Sequence, residues 1–477
     1  MSNNIIQTIN PATEEILAEY LIADKLHVSS VIDKSKKAFN NYGWKNDIHK
    51  RRDVLHRVSM ELKKNKEELA KVATREMGKP LKEARSEVEK CATVMEFYAY
   101  NGEIYLHEEF INTDANKSII KFEPLGVIGS IMPWNFPYWQ ALRFAAPCLM
   151  AGNTITLKPA SNTIQCGIEI EKIFQKAGEE GGINDNNVFQ TLVGNYHVAE
   201  DLIDSNIDGV TFTGSVQAGA KVVQRATSQL KKCVLELGGS DPFIVCKDAD
   251  IEKASSGAVK GRFINCGQSC IASKRFIIVQ EIADEFIEKF VQKTEKLRIG
   301  DPMSEHTDIG PLVNSKSLEN IENLVQDAID KGSELVTGGE KIGIGVGNKK
   351  GFFYNPTILK NVPDSSRIAK EETFGPIAPI TVVNDEIEAI KFANNSEFGL
   401  GASIWTTDLE KAEKLTNLIQ AGIVTVNNVV ISDPRVPFGG IKKSGFGREL
   451  SRYGMLEFVN IKSVRYYDEL VINHHVE

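Results

Sequence analysis

The stretch Val234-Leu235-Glu236-Leu237-Gly238-Gly239 decides how this chain folds, because it closes one series of strand patterns and precedes a second. On both sides of it, short apolar runs alternate with amphipathic helical patterns. Such alternation is typical of βαβ units and predicts two α/β domains with parallel sheets, divided near Gly239. The predicted strands lie at 127–132, 154–157, 188–192, 209–213 and 233–237 before the division, and at 242–245, 275–279, 378–383 and 422–426 after it.

The first hundred residues have a different pattern. Apolar residues recur at helical spacing, with charged residues between them, over 28–39, 50–74 and 81–100. This region is therefore predicted to be mostly amphipathic helix that covers a sheet.

Composition limits the possible partners. The chain has 477 residues, 42% of them hydrophobic and 25% charged, which is ordinary globular usage and enough for two or three domains. A formal net charge of -8 with scattered lysines argues against nucleic acid as a partner. Neither a leader-like N-terminus nor a long apolar stretch is present, so we expect a cytoplasmic protein that does not bind membranes. Seven cysteines without CxxC pairs, and eight histidines without HExxH, predict neither a disulfide framework nor a metal site.

Two residues stand out as candidates for covalent catalysis. Cys270 ends the small, polar run Asn265-Cys266-Gly267-Gln268-Ser269-Cys270, whereas the other cysteines apart from Cys266 have apolar neighbours and are predicted to lie in the core. Glu236 lies between leucines ahead of Gly238-Gly239, where desolvation would raise its pKa towards that of a base. The sequence thus offers a nucleophile and a general base.

Several motifs in order along the chain resemble those of the aldehyde dehydrogenase superfamily. They comprise the Glu236 and Cys270 segments together with Pro133-Trp134-Asn135-Phe136-Pro137, Leu157-Lys158-Pro159-Ala160-Ser161, Phe212-Thr213-Gly214-Ser215, Glu371-Glu372-Thr373-Phe374-Gly375-Pro376, and Pro437-Phe438-Gly439-Gly440-Ile441-Lys442 through Ser444-Gly445-Phe446-Gly447-Arg448-Glu449. The resemblance covers nearly the whole chain.

The resemblance implies a particular α/β architecture. A Rossmann-like dinucleotide-binding domain would comprise 1–105 and 123–239, and an α/β catalytic domain would comprise 240–445. Residues 106–122 and 446–477 would form a small β extension that joins subunits into a homodimer or homotetramer.

The resemblance also implies roles for the catalytic residues. Cys270 would attack an aldehyde, Asn135 and the Cys270 backbone amide would hold the oxyanion, and Glu236 would activate the water that cleaves the thioester. Taken alone, Asn135 could be a simple turn residue. Glu236 could pair with a lysine, but along a strand Lys231 would face away and Lys232 would lie roughly 13 Å from it.

A dinucleotide site is predicted from two sources. Gly214, Ser215 and Gly219 lie where a strand enters a helix whose N-terminal amides could meet a pyrophosphate. The resemblance adds Trp134, Lys158, Ser161, Glu372 and Phe374 to this set. Ser161 stands where members that prefer NAD often carry glutamate, so NADP is favoured over NAD. Alternatively, Ser161 merely caps the helix that starts near Thr163.

The substrate is suggested by arginines. Arg143 follows Pro137 by six residues and resembles the branch of the superfamily that oxidises succinic semialdehyde, whose distal carboxylate an arginine can bind. Some members of that branch carry a second arginine where this chain has Ile264, and Arg435 could supply that cation instead. The alternatives are that Arg143 pairs with an acid inside the fold and that Arg435 pairs with Asp433.

The expected activity is therefore NAD(P)-dependent oxidation of succinic semialdehyde, or of a similar short semialdehyde, to the dicarboxylate. An oxidation of neutral aldehydes is the alternative. A catalytically silent member that serves as a binding protein is disfavoured by the joint presence of Cys270, Glu236 and Asn135. Transfer of the acyl group to phosphate or coenzyme A is disfavoured because Glu236 is a base that activates water.

Overall fold

The computed structural model describes residues 4–182, 187–343 and 350–468. Its helices are α1 (Lys25–Asn40), α2 (Tyr42–Lys45), α3 (Ile48–Lys64), α4 (Lys66–Met77), α5 (Leu81–Tyr105), α6 (Pro137–Met150), α7 (Ile164–Glu180), α8 (Tyr196–Asp204), α9 (Val216–Thr227), α10 (Ile251–Phe263), α11 (Gln280–Thr294), α12 (Ser315–Asp330), α13 (Arg367–Lys370), α14 (Glu386–Asn394), α15 (Leu409–Thr416) and α16 (Ser451–Leu456).

Its strands are β1 (Ile5–Ile9), β2 (Ile16–Leu21), β3 (Glu109–Phe110), β4 (Lys117–Pro124), β5 (Val127–Ile131), β6 (Thr154–Lys158), β7 (Phe189–Thr191), β8 (Gly209–Thr213), β9 (Lys232–Glu236), β10 (Asp241–Val245), β11 (Ser273–Val279), β12 (Glu334–Thr337), β13 (Lys341–Ile342), β14 (Phe353–Tyr354), β15 (Thr357–Lys360), β16 (Ile377–Val383), β17 (Phe398–Gly399), β18 (Gly401–Trp405), β19 (Ile423–Val426), β20 (Ile441–Lys442), β21 (Gly445–Phe446) and β22 (Val459–Tyr466).

The first large sheet has the strand order β21-β9-β8-β5-β6-β7. Strands β5 to β9 pair in parallel, and only β21 runs antiparallel to its neighbour β9. All five strands predicted before Gly239 belong to this sheet. The expectation of a parallel sheet built from βαβ units is therefore confirmed.

Both faces of this sheet are covered, since successive side chains of a strand point to opposite sides. Ile128 and Val234 pack into a large cluster with the helices α3, α5, α6 and α7. Their chain neighbours Val127 and Leu235 pack into a second cluster with α1, α8 and α9. The alternation explains why these strands appear in the sequence as continuous apolar runs.

The second large sheet has the order β12-β15-β16-β11-β10-β18-β19, with β12 antiparallel to β15 and the other pairs parallel. The sequence predicted β10, β11, β16 and β19 but not the interior strands β15 and β18 or the edge strand β12. Gly401, Ala402 and Ser403 in β18 are weak strand formers, and the strand forms because all its residues are buried between β10 and β19.

The N-terminal region departs from the prediction in two places. A hairpin of β1 and β2 precedes the helices. The predicted helix 50–74 is two helices, because the chain breaks at Asn65, whose side-chain amide donates to Glu61 O at 2.8 Å and ends α3. Asn65 then also precedes the first turn of α4.

A small sheet of order β22-β4-β3 lies outside the two large ones. Its strands come from the two segments predicted to form the subunit-joining extension, although β4 continues to Pro124 and Gly445–Phe446 joins the first large sheet instead. Residues 469–477 of that extension lie outside the described residues. The exact domain bounds remain a prediction. Among the described helices, none combines the length and the apolar character that a membrane span requires.

Asn153 ties the first large sheet to the small sheet, and we expect its replacement to destabilise the fold. Its side chain accepts from Gly126 N at 3.0 Å and donates to Cys148 O and Phe458 O, all inside the core. Asn153→Ala removes the side-chain partner of Gly126 N and of Phe458 O, at about 1–3 kcal/mol each, whereas Cys148 O keeps the backbone N–H of residue 153 as a donor. Thermal unfolding should show a midpoint at least about 2 °C below wild type. The exposed Asn417→Ala is the matched control and should unfold with wild type; equal midpoints for both variants would contradict the expectation.

Candidate active site

The carboxyl ends of the first sheet's parallel strands bring four predicted site residues to one edge. Lys158 ends β6, Glu236 ends β9, Gly214 follows β8, and Asn135 follows β5 after a short loop. In open α/β sheets this edge is where ligands bind. The four motifs therefore lie together because their strands are neighbours in one sheet and end at the same edge.

The segment before Cys270 has an unusual backbone. Asn265 and Cys266 adopt left-handed φ values of 52° and 55°, and Gly267 has a φ of 71°. A Cβ at Gly267 would lie 2.3 Å from Gly375 O, so the backbone approach there requires glycine. Glu83 of α5 accepts a hydrogen bond from Asn265 N at 2.9 Å, which holds this strained turn in place.

Arg262 holds the segment before Cys270 in place through hydrogen bonds to backbone oxygens, a role that the sequence did not predict. Its buried guanidinium donates to the backbone oxygens of Gly267 and Thr373, each at 3.1 Å, and also to that of Gly375. Burial lowers the pKa of Arg262 to about 9. The contacts fix the Cys270 loop relative to the segment that carries Glu372 and Phe374.

Cys270 differs from the other cysteines in being partly exposed, while the remaining six are buried as their apolar neighbours predict. Without a bound cofactor, desolvation by the surrounding protein raises the pKa of Cys270 to about 11, although the positive charges of Arg143 and Lys274 act to lower it. Cys270 is therefore a protonated thiol near neutral pH in the enzyme without cofactor. A nearby positive charge is needed to favour the thiolate.

Asn135 faces the nucleophile loop and is buried. Its Nδ2 donates to Gln268 O at 3.1 Å, and its backbone oxygen accepts from Asn265 Nδ2 at 2.8 Å. Glu87 fixes the helix that follows, because its Oε1 accepts from both Tyr138 N and Trp139 N at 2.9 Å. These bonds link Asn135 to the Cys270 loop, which a simple turn residue would not require.

Glu236 is buried, and neither of its carboxylate oxygens has a hydrogen-bond partner among the described residues. Burial and the neighbouring Glu449 hold its pKa well above the usual range. The two lysines considered as partners lie elsewhere: Lys231 donates to Ile203 O, and Lys232 pairs with Glu457. Glu236 has the environment of a general base.

Cys270 lines a cavity of about 450 Å³ together with Arg143, Trp139 and Phe438. The Arg143 guanidinium lies 4.3 Å from the centre of the Phe438 ring and forms a buried ion pair with Glu449. Glu449 was part of a motif but had no predicted role. Arg143 therefore lines the cavity, as a substrate-binding arginine would, and also pairs with an acid inside the fold, which was the alternative.

Arg435 is highly exposed and pairs with Asp433 through its Nε at 2.8 Å. It is not among the residues that line the cavity, whereas Ile264 is. The observed pairing is the one named as the alternative, and a substrate contact by Arg435 is not supported by its position.

The cofactor candidates next to β6 and β8 form a cationic, glycine-bearing edge. Lys158 Nζ donates to Pro159 O at 2.6 Å, and burial lowers the pKa of Lys158 to about 8. Ser161 donates to Gly194 O at 3.4 Å and does not cap α7, whose N-cap residue is Thr163. Ser215 caps α9 by accepting from Ala218 N.

Gly219 serves packing rather than phosphate approach in this arrangement. It is buried within α9, and a Cβ there would lie 2.5 Å from Leu237 Cδ2. Helix α9 can thus lie close against the segment that follows β9.

The remaining cofactor candidates lie near the Gly238-Gly239 turn. Glu372 Oε1 accepts from Gly239 N at 3.0 Å and lies 3.3 Å from Lys274 Nζ. Phe374 packs edge-on against Trp134, with ring centroids 5.7 Å apart. A carboxylate for ribose hydroxyls, the α9 N-terminus for phosphate, and Lys158, which pairs with no carboxylate of the described residues, are a set of groups that fits NADP.

One group of possible metal ligands occurs among the described residues. Single atoms of Cys246, Asp248 and Glu386 lie within 4.8 Å of one another. Lys411 Nζ contacts Asp248 at 2.7 Å and Glu386 at 3.2 Å, so an ammonium already balances these carboxylates.

Comparisons with known proteins agree with this geometry. The chain is 45% identical over 460 residues to a probable NADP-dependent succinate-semialdehyde dehydrogenase of Synechocystis sp., covering 96% of this chain and 99% of that protein. It is 43% identical to a succinate semialdehyde dehydrogenase of Escherichia coli described as using NAD(P), covering 96% of this chain and 97% of that one. A crystal structure of succinic semialdehyde dehydrogenase from Streptococcus pyogenes with NADP superposes with a TM-score of 0.92 at 33% identity, covering 97% and 100% of the two chains.

The model of the aldehyde dehydrogenase family matches residues 1–464. The motifs that carry the resemblance, the order of the strands and the grouping of Cys270, Glu236 and Asn135 all lie within this range. The chain therefore belongs to the aldehyde dehydrogenase family.

Proposed function

We propose that this enzyme oxidises succinic semialdehyde, or a similar short semialdehyde, to the dicarboxylate with NADP, and that NAD is a poorer cofactor. The observation that carries the proposal is that Cys270 and Arg143 line the same cavity. A nucleophile and a cation in one cavity suit a substrate with an aldehyde at one end and a carboxylate at the other. The names of the relatives from Synechocystis and Escherichia coli point to the same substrate.

In the first half-reaction, Cys270 Sγ would form a bond to the aldehyde carbon. The negative charge that develops on the carbonyl oxygen needs hydrogen-bond donors. The Cys270 backbone N–H would be one, and Asn135 Nδ2, which contacts the same loop at Gln268 O, would be the other. Nδ2 carries two hydrogens, so one remains for the oxyanion while the other binds Gln268 O. When bound, NADP supplies the hydride acceptor.

In the second half-reaction, Glu236 would take a proton from water, the water oxygen would add to the thioester carbonyl, and the Cys270 thiolate would leave. Both Glu236 oxygens lack partners, and the raised pKa makes the carboxylate a strong base once it is ionised. Hydrolysis rather than acyl transfer follows from this base.

Lys158 and Ser161 support a preference for NADP. Lys158 has no carboxylate partner among the described residues and ends β6, directly before the strand-to-helix connection that contains neutral Ser161. A 2'-phosphate would gain a counter-ion there and meet no acidic side chain from position 161.

A second candidate is the oxidation of neutral aldehydes, which the Arg143–Glu449 pair favours. Because Glu449 already balances the guanidinium, Arg143 offers less attraction to a second carboxylate. Phe136, Trp139 and Val429 add apolar surface to the cavity.

For the assembly, we propose a cytoplasmic homodimer or homotetramer joined through the sheet of β3, β4 and β22. Strand β22 is an edge strand that leaves Ile461 and Tyr466 exposed, as an interface strand would. The seven free cysteines suit a reducing compartment.

The substrate assignment is tested by comparing kcat/KM for succinic semialdehyde and butanal at saturating NADP. The two differ essentially by the terminal carboxylate, so a well-made bidentate contact should give a ratio above about 10². A ratio near one would instead support the enzyme for neutral aldehydes.

The role of Glu236 is tested with Glu236→Gln, which keeps the shape and removes the base. We expect a burst of up to one NADPH per active site followed by turnover slowed about 10²- to 10⁴-fold, because the thioester forms but is not hydrolysed. Stopped-flow absorbance measures both phases. Cys266→Ser, at the buried thiol in the same loop, is the control and should keep steady turnover; wild-type turnover in Glu236→Gln would exclude the proposed base.

The cofactor assignment is tested with Ser161→Glu, which adds a carboxylate beside the proposed 2'-phosphate position. Like-charge repulsion should lower kcat/KM for NADP by at least about tenfold and leave that for NAD within about threefold. Ser161→Ala keeps the site neutral and should retain the NADP preference. An unchanged NADP to NAD ratio in Ser161→Glu would show that Ser161 does not face the phosphate.

A further inference from the structure

We propose that Lys90 is a specificity-determining residue whose ammonium binds the distal carboxylate of the substrate in the Cys270 cavity. The inference rests on the proposed function, because it names the group that selects a semialdehyde over a neutral aldehyde. It also supplies the second cation that Arg435, at the surface, does not.

Lys90 lies on α5 and lines the cavity together with Cys270 and Arg143. Its Nζ donates to Ser432 Oγ at 2.6 Å and lies 4.2 Å from the centre of the Trp139 ring. Both neighbours also line the cavity. An ammonium has three donors, and only one is used by Ser432, so two remain for a ligand.

The other cations of the cavity are compensated or solvated. Arg143 pairs with Glu449, Lys82 pairs with Asp308, and Lys260 is exposed. For Lys90, no carboxylate oxygen of a described residue lies within 4.0 Å of Nζ. A desolvated ammonium that has only a hydroxyl and an aromatic ring as neighbours is costly without an anion. A carboxylate in the cavity would supply that anion.

The charged groups around Lys90 agree with this reading. The pKa of Lys90 is lowered to about 8, chiefly by burial and also by the neighbouring Arg143, while Cys91, Glu87 and Asp433 oppose the shift. Glu87 is already bound by Lys79 and by the first amides of α6, and Asp433 is bound by Arg435. Neither acid is therefore available as a close partner.

A pH dependence follows from the sign of this shift. The ammonium of the free enzyme is lost as the pH rises through about 8, and with it the attraction for a carboxylate. KM for succinic semialdehyde should therefore rise above pH 8. KM for butanal, which has no carboxylate, should not follow that rise.

The experiment compares Lys90→Met, Lys90→Arg and the matched control Lys253→Met, an exposed lysine of α10 that does not line the cavity. Lys90→Met should raise KM for succinic semialdehyde about tenfold to 150-fold, the effect of one charged hydrogen bond, and leave kcat and the butanal KM within about threefold. Lys90→Arg should restore most of the affinity and move the rise in KM to higher pH. Lys253→Met should resemble wild type.

Direct binding of succinate gives a readout independent of turnover. Isothermal titration should detect succinate binding to wild type and to Lys90→Arg, and at least about tenfold weaker binding to Lys90→Met. Circular dichroism of each variant verifies the fold. Equal losses for succinic semialdehyde and butanal in Lys90→Met, or unchanged succinate binding, would overturn the inference and leave Lys90 as a structural tie between α5 and Ser432.

Failure of this inference can be distinguished from failure of the proposed function. If wild type does not discriminate succinic semialdehyde from butanal, the proposed function fails and the role of Lys90 fails with it. If wild type discriminates and Lys90→Met keeps the same ratio, only the assignment of Lys90 is overturned.

Discussion

The hydrogen bonds of Arg262 to backbone carbonyl groups are the constraint on which the site depends. The side chain is buried, and its acceptors are Gly267 O, Thr373 O and Gly375 O, with Ser273 O at 3.0 Å as a fourth. Because the acceptors are main-chain atoms, Arg262 fixes the path of the chain rather than one side chain. The path so fixed carries the nucleophile on one side and Glu372 and Phe374 on the other. A lysine could not replace this fork of donors, since it presents a single ammonium.

Charge within the site is balanced by very few groups. Arg143 lies among the carboxyl groups of Glu449 and Glu236, and it lowers the pKa of both while burial raises it. The same guanidinium lowers the pKa of Cys270. One cation thus favours the ionised forms of Cys270, Glu236 and Glu449. A change at Arg143 would therefore alter the ionisation of all three groups together.

The sequence predicted the sheets well because their strands are buried on both faces and appear as apolar runs. It failed for β18, whose small residues form a strand only through burial between β10 and β19, and for the break at Asn65, where one side-chain hydrogen bond interrupts a continuous helical pattern. The candidate catalytic residues were named from their motifs. Lys90 was not, since a lysine on an amphipathic helix has the pattern of a solvated residue until the fold shows what it faces. The pairing of Arg435 with Asp433 could be predicted as an alternative because the two residues are only two positions apart in the sequence.

The distribution of thiols has a practical consequence. Of seven cysteines, six are buried and only Cys270 is partly exposed, with no disulfide among them. The folded chain therefore presents one accessible thiol to a reagent, and the unfolded chain presents seven. Counting reactive thiols then reports the fraction of molecules that are folded, without any substrate. Because the same sulfur is the proposed nucleophile, a single labelling also counts the sites that are able to react.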